Sequence, residues 1–141
     1  MKEEIREIYL ELWSLCKDVE RPLCHKYRSL RELFERVARN QMQNISLQAT
    51  DLAARINYLS TQFSFDGWLK YALHTFRLTS NDVMNHRKEP LDDEFFRDVR
   101  SVAEAVHVML HTPIPKELAE MLPSRMLKNS MKRGENALER R

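Results

Sequence analysis

Apolar positions recur at the helical period in five successive runs, separated by polar or proline-bearing stretches. Ile5, Ile8, Leu12, Leu15 and Val19 fall at i, i+3, i+7, i+10 and i+14, one stripe on a helix of 3.6 residues per turn. Tyr9, Trp13 and Cys16 widen it. Pro22 ends this helix or opens the next, because proline lacks the N–H donor and disfavours helix in the residue before it. A second helix is predicted from about Leu23 to Met42, with Leu23, Tyr27, Leu30, Phe34 and Val37 on one face. Asn40–Ser46 reads as loop, and a third helix as about Leu47 to Phe63, on Leu52, Ile56, Leu59 and Phe63.

Ser64-Phe-Asp66-Gly67 breaks the pattern and supplies capping side chains for a fourth helix. Leu69, Leu73, Phe76, Ser80 and Val83 point inward there, and Lys88-Glu-Pro90 stops it. Asp92 is the expected N-cap of a fifth helix, with Leu91 and Phe96 placed as a hydrophobic staple. That helix carries Phe96, Val99, Val102, Ala103, Val106 and Leu110. Thr112-Pro113-Ile-Pro115 is a stiff break. The pattern predicts an all-α, antiparallel bundle of about five helices over residues 1–112. A proline-bounded basic tail or linker over 113–141 then leads toward a further domain or partner.

Composition agrees. Two glycines in 141 residues are too few for a β-rich fold, and 43% apolar with 31% charged residues is globular rather than disordered. The chain is long enough to bury a core without staples. The start, Met-Lys-Glu-Glu-Ile-Arg-Glu, has no apolar core of a secretory leader. A cytoplasmic location is therefore expected, with Cys16 and Cys24 as reduced thiols. No run reaches the roughly 18 apolar residues of a membrane helix, so no membrane partner is expected.

Charge sharpens the division. The net charge of +2 is the sum of a tail from Ser124 onward at +4 (six Lys or Arg against Glu135 and Glu139) and residues 1–123 at −2. The body is thus not broadly basic. Basic side chains do collect on the second helix, where Arg21, Lys26, Arg28, Arg31, Arg36 and Arg39 face only Glu32 and Glu35. Lys26, Arg28, Arg31, Arg36 and Arg39, with Arg125, Lys128, Lys132 and Arg133 of the tail, are the candidates for nucleic-acid contact.

The densest polar chemistry lies where the fourth helix hands over to the fifth: Arg77-Leu-Thr-Ser-Asn81-Asp-Val-Met-Asn85-His86-Arg87-Lys-Glu-Pro90. If the helix ran on unkinked, Thr75, Thr79, Asp82 and His86 would form one polar line beside the apolar stripe. Asn81, Asp82, Asn85, His86 and Arg87 then make a polar patch. Two readings fit it: C-terminal capping by amide and cationic groups, or a phosphate-facing patch with His86 as acid/base and Arg77 or Arg87 as its cation. Other constellations are thinner. His107 and His111 have an i, i+4 spacing that can hold zinc, without a third ligand. Cys24-His25 is not ligand-spaced, and no Gly-rich phosphate loop occurs. No metal or cofactor is expected.

The string Asn81-Asp-Val-Met-Asn85-His86-Arg-Lys-Glu-Pro90-Leu-Asp-Asp, ahead of an apolar helix, resembles the late helices of the HEPN superfamily. The resemblance covers residues 66–112, about a third of the chain. It implies a helical bundle, usually a homodimer, linked to RNA cleavage or to nucleic-acid-handling machinery, where some relatives are non-catalytic interaction modules. The family's arginine has four to six residues between it and the histidine. Here Thr79, Ser80 and Asn81 occupy that window, so the resemblance implies a catalytically silent member. The expectation is a non-enzymatic interaction or dimerisation module, the N-terminal domain of a larger helicase- or nuclease-type protein, with a homodimer or protein partner. Apolar residues off the main stripes (Tyr9, Trp13, Leu78, Met84, Phe95) suit a dimer seam. The alternatives are a ribonuclease using His86 and direct nucleic-acid binding by the second helix and tail.

Overall fold

A computed structural model describes residues 2–42 and 51–124. Six helices pack against one another: α1 (Lys2–Lys17), α2 (Leu23–Gln41), α3 (Leu52–Gln62), α4 (Gly67–Met84), α5 (Asp92–Leu110) and α6 (Lys116–Ala119). α4 packs on α2, α3 and α5, and α5 reaches α1 and α2 as well. These two helices are the spine of the bundle.

Local chemistry accounts for most boundaries. Asp51 accepts from Ala54 N at 2.7 Å and Asp66 from Leu69 N at 2.8 Å, so α3 and α4 open on side-chain caps. Asp92 does not cap α5; it is the first helical residue and Leu91, 57% exposed, holds the cap position without a side-chain bond. Asp92, Asp93 and Glu94 instead place negative charge on the first turn, where the helix dipole favours it. α1 ends at Lys17, short of Val19, which is exposed and leaves the stripe. Asp18 takes the chain round by accepting from the N–H groups of Glu20 and Arg21, both at 3.0 Å. Those two bonds, chiefly Arg21's, hold its carboxyl below the usual range.

With glycine absent from the helix exits, other residues adopt the left-handed backbone there: Ser64 (φ 54°), His86 (φ 58°) and His111 (φ 52°). α3 and α4 both end in a Schellman arrangement. Phe65 N reaches Ser60 O at 2.9 Å beyond Ser64, and Arg87 N reaches Asp82 O at 2.8 Å beyond His86.

The core is one cluster from all six helices. Tyr27, Phe34, Phe76 and Phe95 are its largest fully buried side chains, with edge-to-face contacts between Tyr27 and Phe95 and between Phe34 and Phe76. Truncating such a ring costs about 3–5 kcal/mol. Phe95 and Tyr9 are therefore interior residues and not part of an outer dimer seam; of that set only Leu78 is clearly exposed. The stretch after Thr112, read from its prolines as a linker, returns to the bundle. Leu118 and Leu122 are buried, and Pro123 O accepts from Arg100.

Candidate functional site

α4 ends at Met84, so the proposed polar line to His86 breaks before it arrives. His86 stands past the cap residue Asn85 as the left-handed residue of the Schellman turn, its N–H on Val83 O at 3.2 Å and its side chain exposed. Asn85 Nδ2 donates back to Asn81 O at 2.8 Å. Arg87 makes a loose, exposed pair with Asp82 at 3.9 Å. Arg77 turns elsewhere: its Nε donates to His74 Nδ1 at 3.3 Å. His74 Nε2 must then carry the proton and donate to Asn57 Oδ1 at 2.9 Å, a relay from α4 to α3. Burial first, then Arg77 and Lys70, hold the His74 pKa below its ordinary value, in keeping with a neutral ring. Of the expected set, Asn81, Asp82, Asn85, His86 and Arg87 do share one helix exit, while Arg77 does not join His86.

A different cation comes to this exit. Arg31, on α2, sends Nη1 to Ser80 Oγ at 2.9 Å, Arg77 O at 3.4 Å and Asn81 Oδ1, while its Nε pairs with Glu35 at 2.9 Å. The side chain is 17% exposed. A guanidinium thus occupies, in space, the window before His86 that holds no arginine in sequence. The rest of the basic face of α2 is likewise divided. Lys26 is buried, donating to Asp18 O at 2.7 Å and lying 4.8 Å over the Phe95 ring. Arg36 Nη2 donates to both carboxylate oxygens of Glu11 of α1, at 3.1 and 3.0 Å. Arg28 and Arg39 remain exposed. Arg125, Lys128, Lys132 and Arg133 lie outside the described residues.

One turn from Arg31 the seam between α2, α4 and α5 is polar to its centre. Asp98 is fully buried; Oδ2 accepts from Tyr27 OH at 2.7 Å, and Arg97 Nε and Nη2 reach Oδ1 and Oδ2 at 3.1 and 3.3 Å. Arg97 Nη2 also reaches Thr79 Oγ1 at 3.3 Å. Burial pushes the Asp98 carboxyl up to about 6, although Arg97 and the hydrogen bonds oppose it. Burial, then the Asp98 charge, raises the Tyr27 phenol far above its ordinary value. The Arg97 guanidinium loses by burial and gains more from Asp98, ending above its ordinary value. Asp98 stands between the buried Phe95 and Val102 on the inward face of α5, where a charge requires partners.

The other unusual surface lies on α1. Tyr9 OH donates to Thr112 O at 2.7 Å, and His107 Nδ1 donates to the same carbonyl at 3.1 Å. These bonds strap residues 112–118 alongside α1 and leave between them an apolar groove of about 610 Å³, walled by Ile5, Leu10, Trp13, Pro113, Pro115 and Leu118. Leu10 is 53% exposed. His107 is used in the strap, and His111 takes the left-handed position at the end of α5. Among the described residues no cluster of three His, Cys, Asp or Glu could hold a metal. Both cysteines are free, and burial raises the Cys16 thiol to about 11, which makes it inert. No helix among the described residues is long and apolar enough to cross a membrane.

Compared with known proteins, the chain matches no family model, no curated protein and no solved structure.

Proposed function

We propose that the bundle is a non-enzymatic interaction and dimerisation module, HEPN-like in descent, serving as the N-terminal domain of a larger nucleic-acid-processing protein. The observation that carries the non-enzymatic part is the state of Arg31, the guanidinium that α2 brings to the window ahead of His86. Arg31 has Nε and Nη1 committed to Glu35, Ser80, Asn81 and Arg77 O, so its fork is not open for a two-point grip on phosphate. The exposed Arg87 follows His86 in the chain, on the side away from the window that the resemblance requires, and a histidine without a cation placed there is a poor site for charge developing on phosphorus. The exposed Leu10 beside the apolar α1 groove is what supports the interaction part. The nucleic-acid setting rests on the sequence resemblance. Light scattering coupled to size exclusion on residues 1–141, with and without a short single-stranded RNA, tests it. A dimer that RNA leaves unchanged is the expected result. A monomer that shifts with RNA would sink the reading and move function to Arg28, Arg39 and the basic tail.

A second reading, a ribonuclease acting through His86, draws on one fact. Arg31 places a guanidinium against Asn81, five residues ahead of His86. It requires RNA cleavage that is lost in both His86→Ala and Arg31→Gln while each variant stays folded.

A further inference from the structure

We propose that His74 is a proton-operated latch on Arg77: the neutral ring holds the guanidinium against α4, and the protonated ring releases it while staying joined to α3. In the latched state Nδ1 accepts from Arg77 Nε at 3.3 Å and Nε2 donates to Asn57 Oδ1 at 2.9 Å. Arginine keeps its proton at any ordinary pH, so the two bonds together admit one tautomer of the neutral ring. A proton arriving at Nδ1 takes the lone pair that Arg77 uses and sets an imidazolium against a guanidinium. The Nε2–H is untouched, and its bond to Asn57 gains from the charge. Relaxation is therefore cheaper on the arginine side, where a long side chain swings out to water.

The surroundings set the direction of the switch. Burial first, then Arg77 and Lys70, work against the charged ring. α3 brings Asn57 to it, and the charged residue of that helix, Arg55, stands two positions away on another side. α2 brings Arg31 to the Arg77 carbonyl, with Glu35 already paired to it. α5 meets α4 through Arg97 at Thr79, more than a turn beyond His74. The carboxylates of Asp66, the α4 cap, and of Asp82 each lie eight residues from the ring, about 12 Å along the axis, a distance that physiological salt screens. The latch is thus closed above the ordinary histidine value of about 6.5 and opens as pH falls below it. Opening alters the outer face of α4, where Lys70, His74 and Arg77 fall at i, i+4 and i+7 beside the exposed Tyr71 and Leu78. Acid adds one positive charge to that face and frees the Arg77 fork.

The latch is read at the ring, because the raised Asp98 carboxyl also titrates near pH 6 and blurs any global stability curve. The test is nitrogen NMR on the full 141-residue chain, titrated downward from neutral pH. At neutral pH the His74 ring should show a bare Nδ1 and a protonated Nε2. On acidification it should titrate below about 6.5, and the Arg77 Nε shift should follow with the same midpoint. In Arg77→Met the midpoint should rise toward the ordinary value, a change that a merely structural histidine would not show. In His74→Gln, which cannot titrate, the Arg77 shift should stay flat across the same range. A ring that carries its neutral proton on Nδ1, or that titrates at or above the ordinary value, would overturn the proposal. So would an Arg77 shift that moves as much in His74→Gln as in the unaltered chain, or a midpoint that Arg77→Met leaves in place.

Discussion

The bundle reverses the usual chemistry in two places, and the two reversals differ in kind. Between α2, α4 and α5 the interior is polar: Asp98, Tyr27, Arg97, Thr79, and one turn away Arg31, Ser80 and Asn81, satisfy one another inside the fold. At one edge of α1 an apolar group faces outward instead, with Leu10 exposed beside a groove that nothing in the chain's described residues fills. A satisfied polar interior fixes how helices meet and costs stability relative to an apolar one. An unsatisfied apolar exterior costs nothing in the fold and acts only when something covers it. Polar groups near a helix exit are thus poor evidence of a binding surface when each has an internal partner.

The largest expected effect breaks the interior side of that comparison. Arg97→Ala leaves the Asp98 carboxylate buried with only the Tyr27 hydroxyl, and should cost about 3–5 kcal/mol at pH 8, read from urea midpoints. The loss should shrink at acid pH as Asp98 becomes neutral. In the unaltered protein the sign runs the same way. The folded pKa of Asp98, about 6, lies above its ordinary value. Its favourable contribution is therefore complete below about pH 4 and disappears as pH rises through 6, a swing of about 2–3 kcal/mol. Asp98→Asn should flatten that part of the curve. A wild-type profile that matches the Asn variant between pH 4 and 7 would show that Asp98 does not titrate there.

How much of this was legible in the chain divides along the same line. Helices came through because the apolar stripes are long and regular: Leu12, Tyr27, Phe34, Ile56, Leu73 and Val102 are all buried. Ends were less secure. Val19 continues the spacing of its stripe, yet the turn built on the Asp18 side chain ends the helix before it. Leu118 and Leu122 behind two prolines looked like departure because sequence spacing cannot reveal a return to the core. The partners of the polar patch were hidden for a related reason. Arg31 and Asn81 are 50 residues apart, Tyr9 and Thr112 103 apart; no local window joins them. Asp98 is hidden in the same way, its partner Tyr27 lying 71 residues away.

A smaller effect separates the two readings of His86. At φ 58° an L-residue carries a penalty of about 1–2 kcal/mol that glycine avoids. Glycine's greater freedom in the unfolded chain removes part of the gain, about 0.5–1 kcal/mol. His86→Gly should therefore stabilise by roughly 0.5–1 kcal/mol, and Ser64→Gly, the same position at the end of α3, by a similar amount. Equal gains with unchanged association would make His86 a cap and no more. A gain accompanied by lost RNA cleavage would instead give the α4 exit a function that its hydrogen bonds do not show.

The smallest expected stability effect carries the most weight for the exterior. Leu10→Glu replaces an exposed leucine on an outer line of α1, where glutamate is as good a helix former. Its midpoint should move by less than about 0.5 kcal/mol. If it moves by more than about 1.5 kcal/mol, Leu10 is supporting the strap between Tyr9 and Thr112, and the groove is a packing defect of the fold. An unmoved midpoint together with lost association would separate the two reversals cleanly. The polar seam would then be a property of folding alone, and the α1 edge a property of binding alone, each removable without the other.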